Sequence, residues 1–178
     1  MNTRLTKRRI KAVLDAACDR LVGDWLLLGG SLVAVWLAPR RVTEDIDLVG
    51  LEGTAAQRLQ ILTLASDLGL SIEAVNSAAD FFVRQIHDWR DQLVLFRRGK
   101  RCRIFRPSGT LFLLLKCRRM SEQDLQDCLK VVDRKRRGRV ALNRGRILEE
   151  LVTLNETASP PVRARYGRLR RVLASLGP

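Results

Sequence analysis

The sequence predicts a mixed α/β (α+β) fold with a helical C-terminal extension, and three observations carry that prediction. Short apolar runs bounded by turn residues fall in the first two thirds, at 25–28, 45–49, 93–96 and 102–105. Helical periodicity occurs at 4–21 and dominates beyond residue 108. Apolar residues fill 46% of the 178 positions, enough for a core, which excludes a disordered basic tail.

Each element has its own reason. Ile10, Val13, Leu14, Ala17 and Leu21 recur at helical spacing, so an amphipathic helix is expected over 4–21. Trp25–Leu28 reads as a buried strand entering the tight turn Gly29-Gly30, and Ser31–Leu37 as a helix stopped by Pro39. Asp45–Val49 alternates polar and apolar, the period of a strand, and Gly50 ends it. Thr54 caps a helix containing Leu59, Leu62 and Leu68, and Ser71–Val75 is a further short strand. Leu93–Phe96 and Cys102–Phe105 flank Arg97-Arg98-Gly99-Lys100 as a hairpin. Ser108 caps the apolar helix Thr110–Cys117, and Ser121 with Asp124 forms a capping box opening a helix to about Val132. Asn143 opens another helix, Pro160-Pro161 breaks it, and Arg163–Leu176 is the last. The expected division is a core over 1–133 and a basic helical extension over 134–178.

Charge is unevenly spread. The chain carries a net +14, and 27 of its 33 basic residues are arginine. Residues 1–11 hold five basic and no acidic side chains; residues 134–178 hold twelve basic and three acidic ones. The segment between them is neutral. Basic ends of this kind meet polyanions, nucleic acid ahead of membrane, unless they merely reflect a preference for arginine. Cys18, Cys102, Cys117 and Cys128 are widely spaced without C-x-x-C, which suggests core thiols rather than disulfides or a zinc knuckle. No apolar h-region follows the basic start, and the apolar stretch Trp25–Ala38 is too short for a bilayer, so a cytoplasmic chain with no membrane partner is expected.

The chemistry concentrates in Leu28-Gly29-Gly30-Ser31 and Arg41-Val42-Thr43-Glu44-Asp45-Ile46-Asp47-Leu48. A strand feeding a Gly-Gly-Ser turn at a helix start leaves unbonded backbone N–H groups and a positive dipole end, which suits phosphate. Asp45 and Asp47 lie two apart in a strand and so face the same way. Two adjacent carboxylates repel unless a cation lies between them, and Mg²⁺ takes such oxygens together with substrate phosphates. A lone D-x-D is common in surface turns. Here apolar Ile46 and Leu48 interleave it, and the pairing with Gly-Gly-Ser points to metal-assisted nucleotidyl or phosphoryl transfer. The single histidine, His87, has no evident triad partner and cannot build a histidine-rich zinc site; no P-loop sequence occurs. His87, Trp36 and Trp89 read as structural.

These motifs resemble those of polymerase-beta superfamily nucleotidyltransferases. Arg41–Leu48, of the form R-x-T-x-D-I-D-L, most resembles the AbiEii/MenT-type minimal enzymes of bacterial toxin–antitoxin systems. Leu113-Leu114-Leu115-Lys116 followed by Asp124-Leu125-Gln126-Asp127 is similar to a second family motif, with Met120-Ser121-Glu122-Gln123 where an arginine is usual. The resemblance covers about residues 25–132 and implies a polymerase-beta-like core with a small mixed sheet. It implies that Gly29, Gly30 and Ser31 hold an NTP triphosphate and that Asp45 and Asp47 bind Mg²⁺. Arg41 and Thr43 would brace the loop, or Arg41 would reach a phosphate. Lys116 would contact a phosphate, or instead snorkel from its apolar helix, and Asp124 would complete the site. The superfamily's third carboxylate would be Glu73, with Asp88 and Asp91 behind it.

A nucleotidyltransferase needs an acceptor. Arg134, Lys135, Arg136 and Arg137, with Arg163, Arg168, Arg170 and Arg171, could grip an RNA backbone; the plain alternative is a solvated charged face. Tyr166 is the one aromatic residue in the basic ends, so backbone and shape recognition is expected rather than base reading. A folded RNA such as tRNA suits that expectation, and some members of the resembled family act on tRNA 3′ ends. The alternatives are nucleotidylation of a cognate toxin or antitoxin protein, and a catalytically weak module that binds RNA or protein.

Overall fold

The computed structural model describes residues 4–71, 74–76 and 80–176. The chain divides into two compact units, Met1–Pro107 and Ser108–Pro178. The expected boundary at 133/134 instead falls inside a helix: it followed a change in charge, whereas the units follow packing.

The first unit is α+β. Helix α1 (Lys7–Arg20) starts where the Thr6 hydroxyl accepts from the Arg9 N–H, and it buries Ile10, Val13, Leu14 and Ala17. Strand β1 (Gly23–Leu27) is the centre of a five-stranded mixed sheet. Its consecutive buried residues Trp25, Leu26 and Leu27 show that both faces of the sheet are covered there. Helix α2 (Gly29–Trp36) follows after a single residue, Leu28, and packs on α1. Strand β2 (Ile46–Gly50) pairs antiparallel with β1, with Leu27 opposite Leu48. Helix α3 (Ala55–Asp67), capped by Thr54, packs against β2.

The sheet continues on both sides. Strand β3 (Val75–Asn76) pairs parallel with β2. The expected strand Ser71–Val75 meets it at Val75 alone, and Ile72 and Glu73 lie outside the described residues. After helix α4 (Asp80–Arg84) and a short 3₁₀ turn come β4 (Leu93–Arg98) and β5 (Cys102–Pro107), the expected hairpin with a bulge between Leu95 and Arg97. β5 lies parallel to β1, giving the order β3-β2-β1-β5-β4.

The second unit is helical. Ser108 caps α5 (Gly109–Cys117), Ser121 caps α6 (Glu122–Arg136), and Asn143 caps α7 (Arg144–Thr157), each side-chain oxygen accepting a first-turn N–H. In α8 (Pro160–Ala174) the two prolines open the helix instead of standing before it. The first turn needs no N–H from them, and their fixed φ already suits a helix. Tyr166, Leu169 and Leu173 face the core, and the Tyr166 hydroxyl donates to the Cys117 carbonyl at 2.8 Å. All four cysteines are free and buried; burial pushes the Cys102 and Cys117 thiols up to about 12, so both stay protonated. No described helix is long and apolar enough to cross a membrane.

Candidate functional site

In the first unit the two halves of the leading motif meet. β1 runs directly into α2, and β2 lies beside β1, where the Leu28 N–H donates to the Asp47 carbonyl at 2.9 Å. That pairing sets the Gly-Gly turn against the loop before β2. The fit is close enough to require glycine. A Cβ on Gly29 would lie 1.6 Å from Asp47 Oδ2, and Gly29 has a φ of +60°, which L side chains rarely adopt. A Cβ on Gly30 would lie 2.6 Å from the Thr43 hydroxyl oxygen.

The loop is pinned from both ends. Leu5 and Thr43 exchange backbone hydrogen bonds of 2.7 and 3.2 Å, and Leu5 is fully buried. The Thr43 hydroxyl then donates to Asp45 Oδ1 at 2.9 Å. Asp45 and Asp47 are partly exposed, while Ile46 between them and Leu48 beyond are fully buried. The strand begins at Ile46, one residue later than expected, so Asp45 stands just before it and Asp47 within it, and the burial alternates along the four residues. Asp47 also lies against the N-terminal end of α2, where the helix dipole favours negative charge. Arg41 begins this loop, and its Nε is buried without a hydrogen-bond partner among the described residues. A buried donor left in that state costs about 1–3 kcal/mol.

This pair satisfies what Mg²⁺ asks of a protein when phosphates and water complete its shell: one or two carboxylates on one side. Among the described residues no group of three His, Cys, Asp or Glu side chains is arranged as a self-sufficient metal site. Glu73 lies outside the described residues. Asp88 accepts from Gln92 at 3.2 Å, and Asp91 is exposed in the 3₁₀ turn.

Ser31 departs from expectation. Its side chain is fully buried, and its hydroxyl donates to the Leu28 carbonyl at 2.9 Å, closing the first turn of α2. Only its backbone N–H, in the unbonded first turn, remains suited to a phosphate.

Lys116 and Asp124 belong to the second unit, where Asp124 also departs from expectation. Asp124 is fully buried. Its Oδ1 accepts from Lys116 Nζ and Arg119 Nη2, both at 2.8 Å. Its Oδ2 accepts from Arg119 Nε at 2.8 Å and from the Ser121 hydroxyl and N–H at 2.7 and 3.1 Å. A carboxylate offers about four lone-pair positions. These donors fill them, leaving Asp124 no oxygen for a metal or a travelling proton. Burial alone would raise its pKa, but the hydrogen bonds from Arg119, Lys116 and Ser121, with the Lys116 charge, hold it well below the usual carboxylate range. Asp124 thus fixes Lys116 and Arg119. Lys116 does not snorkel freely: Asp127, also fully buried, lies 3.4 Å from its Nζ and accepts from Lys130 and Gln123 as well. Arg119, five residues before Asp124, places its guanidinium on that carboxylate, a contact the sequence reading missed.

Most of the basic side chains expected to hold RNA already have partners. Arg134, Lys135 and Arg136 form the last turn of α6, where cations suit the dipole. Arg136 donates to the Ser175 hydroxyl, Arg137 pairs with Asp133, Arg163 donates to the Glu156 carbonyl and Arg168 pairs with Glu122. Arg170 and Arg171 are exposed and have no acidic partner among the described residues. Tyr166 is buried and offers no stacking face.

One aromatic feature was not legible in the sequence. Phe81 and Phe82 on α4 are 67% and 52% exposed, with their rings edge to face at 5.5 Å. Two adjacent phenylalanines carry no periodicity that separates core from surface, so no local signal exposes them. Comparison of the chain with family models, curated proteins and solved structures yields no match to any of them.

Proposed function

We propose that the chain is a Mg²⁺-dependent nucleotidyltransferase that moves a nucleotide from an NTP to an RNA acceptor, tRNA foremost, in the cytoplasm and within a toxin–antitoxin pair. The observation that carries this reading is the interlock of Gly29 with Asp47 and Gly30 with Thr43. It sets the first turn of α2 against Asp47 and, through Thr43, near Asp45, a combination of backbone donors and carboxylates that suits phosphate chemistry.

In this reading the N–H groups of Gly29, Gly30 and Ser31 bind and orient triphosphate oxygens, and Arg41 braces the loop or reaches one of them. Asp45 and Asp47 would hold Mg²⁺, which when bound neutralises phosphate charge. Thr43 keeps Asp45 in its orientation. The acceptor hydroxyl oxygen bonds the α-phosphorus as the α–β bridging bond breaks. Pyrophosphate leaves, and the hydroxyl proton passes to a carboxylate base, for which Glu73 is the candidate.

The test is incubation with each α-labelled NTP and Mg²⁺ in the presence of total tRNA or a neighbouring gene's product. Label is expected in RNA and is lost in the Asp45→Ala/Asp47→Ala double variant, which keeps its fold. Label in protein assigns the chemistry to a protein acceptor. Activity unchanged in the double variant refutes the site.

A further inference from the structure

The second unit has an open groove of about 780 Å³ lined by Leu148 of α7 and by Ala164, Gly167, Arg168, Arg170, Arg171 and Ala174 of α8. We propose that this groove seats the phosphodiester backbone of an RNA strand, with Gly167 as its floor. The proposal rests on RNA being the acceptor in the reading above and says where that acceptor is held.

The argument begins with helix geometry. Ala164, Gly167, Arg168, Arg171 and Ala174 follow at steps of three and one or three, so they form one stripe along α8; Arg170 flanks it beside Gly167 and Ala174. The stripe from 164 to 174 is about 15 Å long, the rise of about four nucleotides at 3.4 Å each. Its centre is small. A Cβ on Gly167 would meet nothing within 4 Å, so open space stands directly over the helix. Three arginines border that space and no acidic side chain lines it. Arg170 and Arg171 have no acid among the described residues to compete with a phosphate.

The groove also lacks what other occupants need. A protein segment would be anchored by buried aromatic or large apolar side chains, and half-buried Leu148 is the one large apolar residue lining it. Base reading would need an exposed ring, and Tyr166 beside it is turned into the core. Arginines over a floor of small residues, with no rings, make a backbone site. Glu122 tunes it, because it accepts two hydrogen bonds from Arg168 at 3.0 and 3.1 Å and holds part of that charge.

The test uses the full chain and a fluorescent 20-nucleotide RNA, read by anisotropy at several salt concentrations without NTP. Gly167→Leu raises the floor of the groove without changing net charge and is expected to weaken binding at least tenfold. Arg170→Gln/Arg171→Gln should flatten the log–log salt slope by about 1.4. Glu122→Gln should tighten binding two- to fivefold by releasing Arg168. Circular dichroism checks the fold, and Ala164→Leu, at the exposed end of the stripe, replaces Gly167→Leu if that variant does not fold. RNA binding that ignores the filled groove overturns the proposal, as does tighter binding of poly-glutamate than of RNA with equal charge. The assay needs no turnover. A chain that transfers no nucleotide yet loses RNA binding on filling leaves this proposal standing and refutes only the enzymatic reading.

Discussion

Replacing Asp124 by asparagine tests the internal ion cluster of the second unit. The amide has almost the same volume, but one end is now a donor. Turned one way, its NH₂ faces Lys116 and Arg119; turned the other, it faces Arg119 and the Ser121 N–H. The magnitude follows from exposure. Lys116 is 12% exposed, so its charge-assisted bond counts for about 1.5–3 kcal/mol. Arg119 is 74% exposed, and solvent screening reduces its share to about 0–1 kcal/mol. The capping contact with Ser121 adds about 1 kcal/mol. The total, about 2.5–5 kcal/mol, spans what removing one member of a buried pair costs. Urea unfolding followed by far-ultraviolet circular dichroism at pH 7 measures it. The pH dependence is a sharper check. Because the folded pKa is depressed, the carboxylate's contribution is complete above the unfolded value near 4 and is lost as pH falls toward the folded one. Wild type sheds about 1.4 kcal/mol per pH unit below about 4, and the variant has none to shed. The gap between them should narrow by about 2 kcal/mol between pH 5 and pH 2.5. A loss under about 1 kcal/mol at pH 7, or a gap constant with pH, would refute the buried-anion account.

Other perturbations follow from single contacts. Gly29→Ala meets both a positive φ and the Asp47 carboxylate, so it should cost at least about 1–2 kcal/mol by urea unfolding and abolish labelled-nucleotide transfer. Thr43→Val removes the hydroxyl that orients Asp45 and should lower transfer about tenfold while changing stability by only about 1 kcal/mol. Tyr166→Phe leaves the Cys117 carbonyl without its side-chain donor and should cost about 1–2 kcal/mol in thermal unfolding, with RNA binding retained.

What the sequence made legible was local. Thr54, Ser108, Ser121 and Asn143 were recognisable as caps because a cap is decided within three residues of itself. Asp45, Ile46, Asp47 and Leu48 alternate in burial as the strand period requires. Long-range pairing was not legible: nothing near Trp25 tells it to lie beside Ile104, nearly eighty residues on, and β3 is too short to show a period. The direction of the Ser31 hydroxyl was not legible, because a hydroxyl in a glycine turn serves equally to close the turn or to face outward, and only packing decides. The enclosure of Asp124 was not legible for a related reason. An acid in a helix's first turn reads as exposed until the lysine and arginine that enclose it are placed in space.

The rung between Leu5 and Thr43 makes the basic residues around it something other than a loose tail. Leu5 is the anchor of a strap, and the strap's other end is the loop that aims Asp45. One pair of backbone hydrogen bonds thus ties the segment between Arg4 and Lys7 to the loop that carries Asp45, so that segment is a fixed part of the first unit.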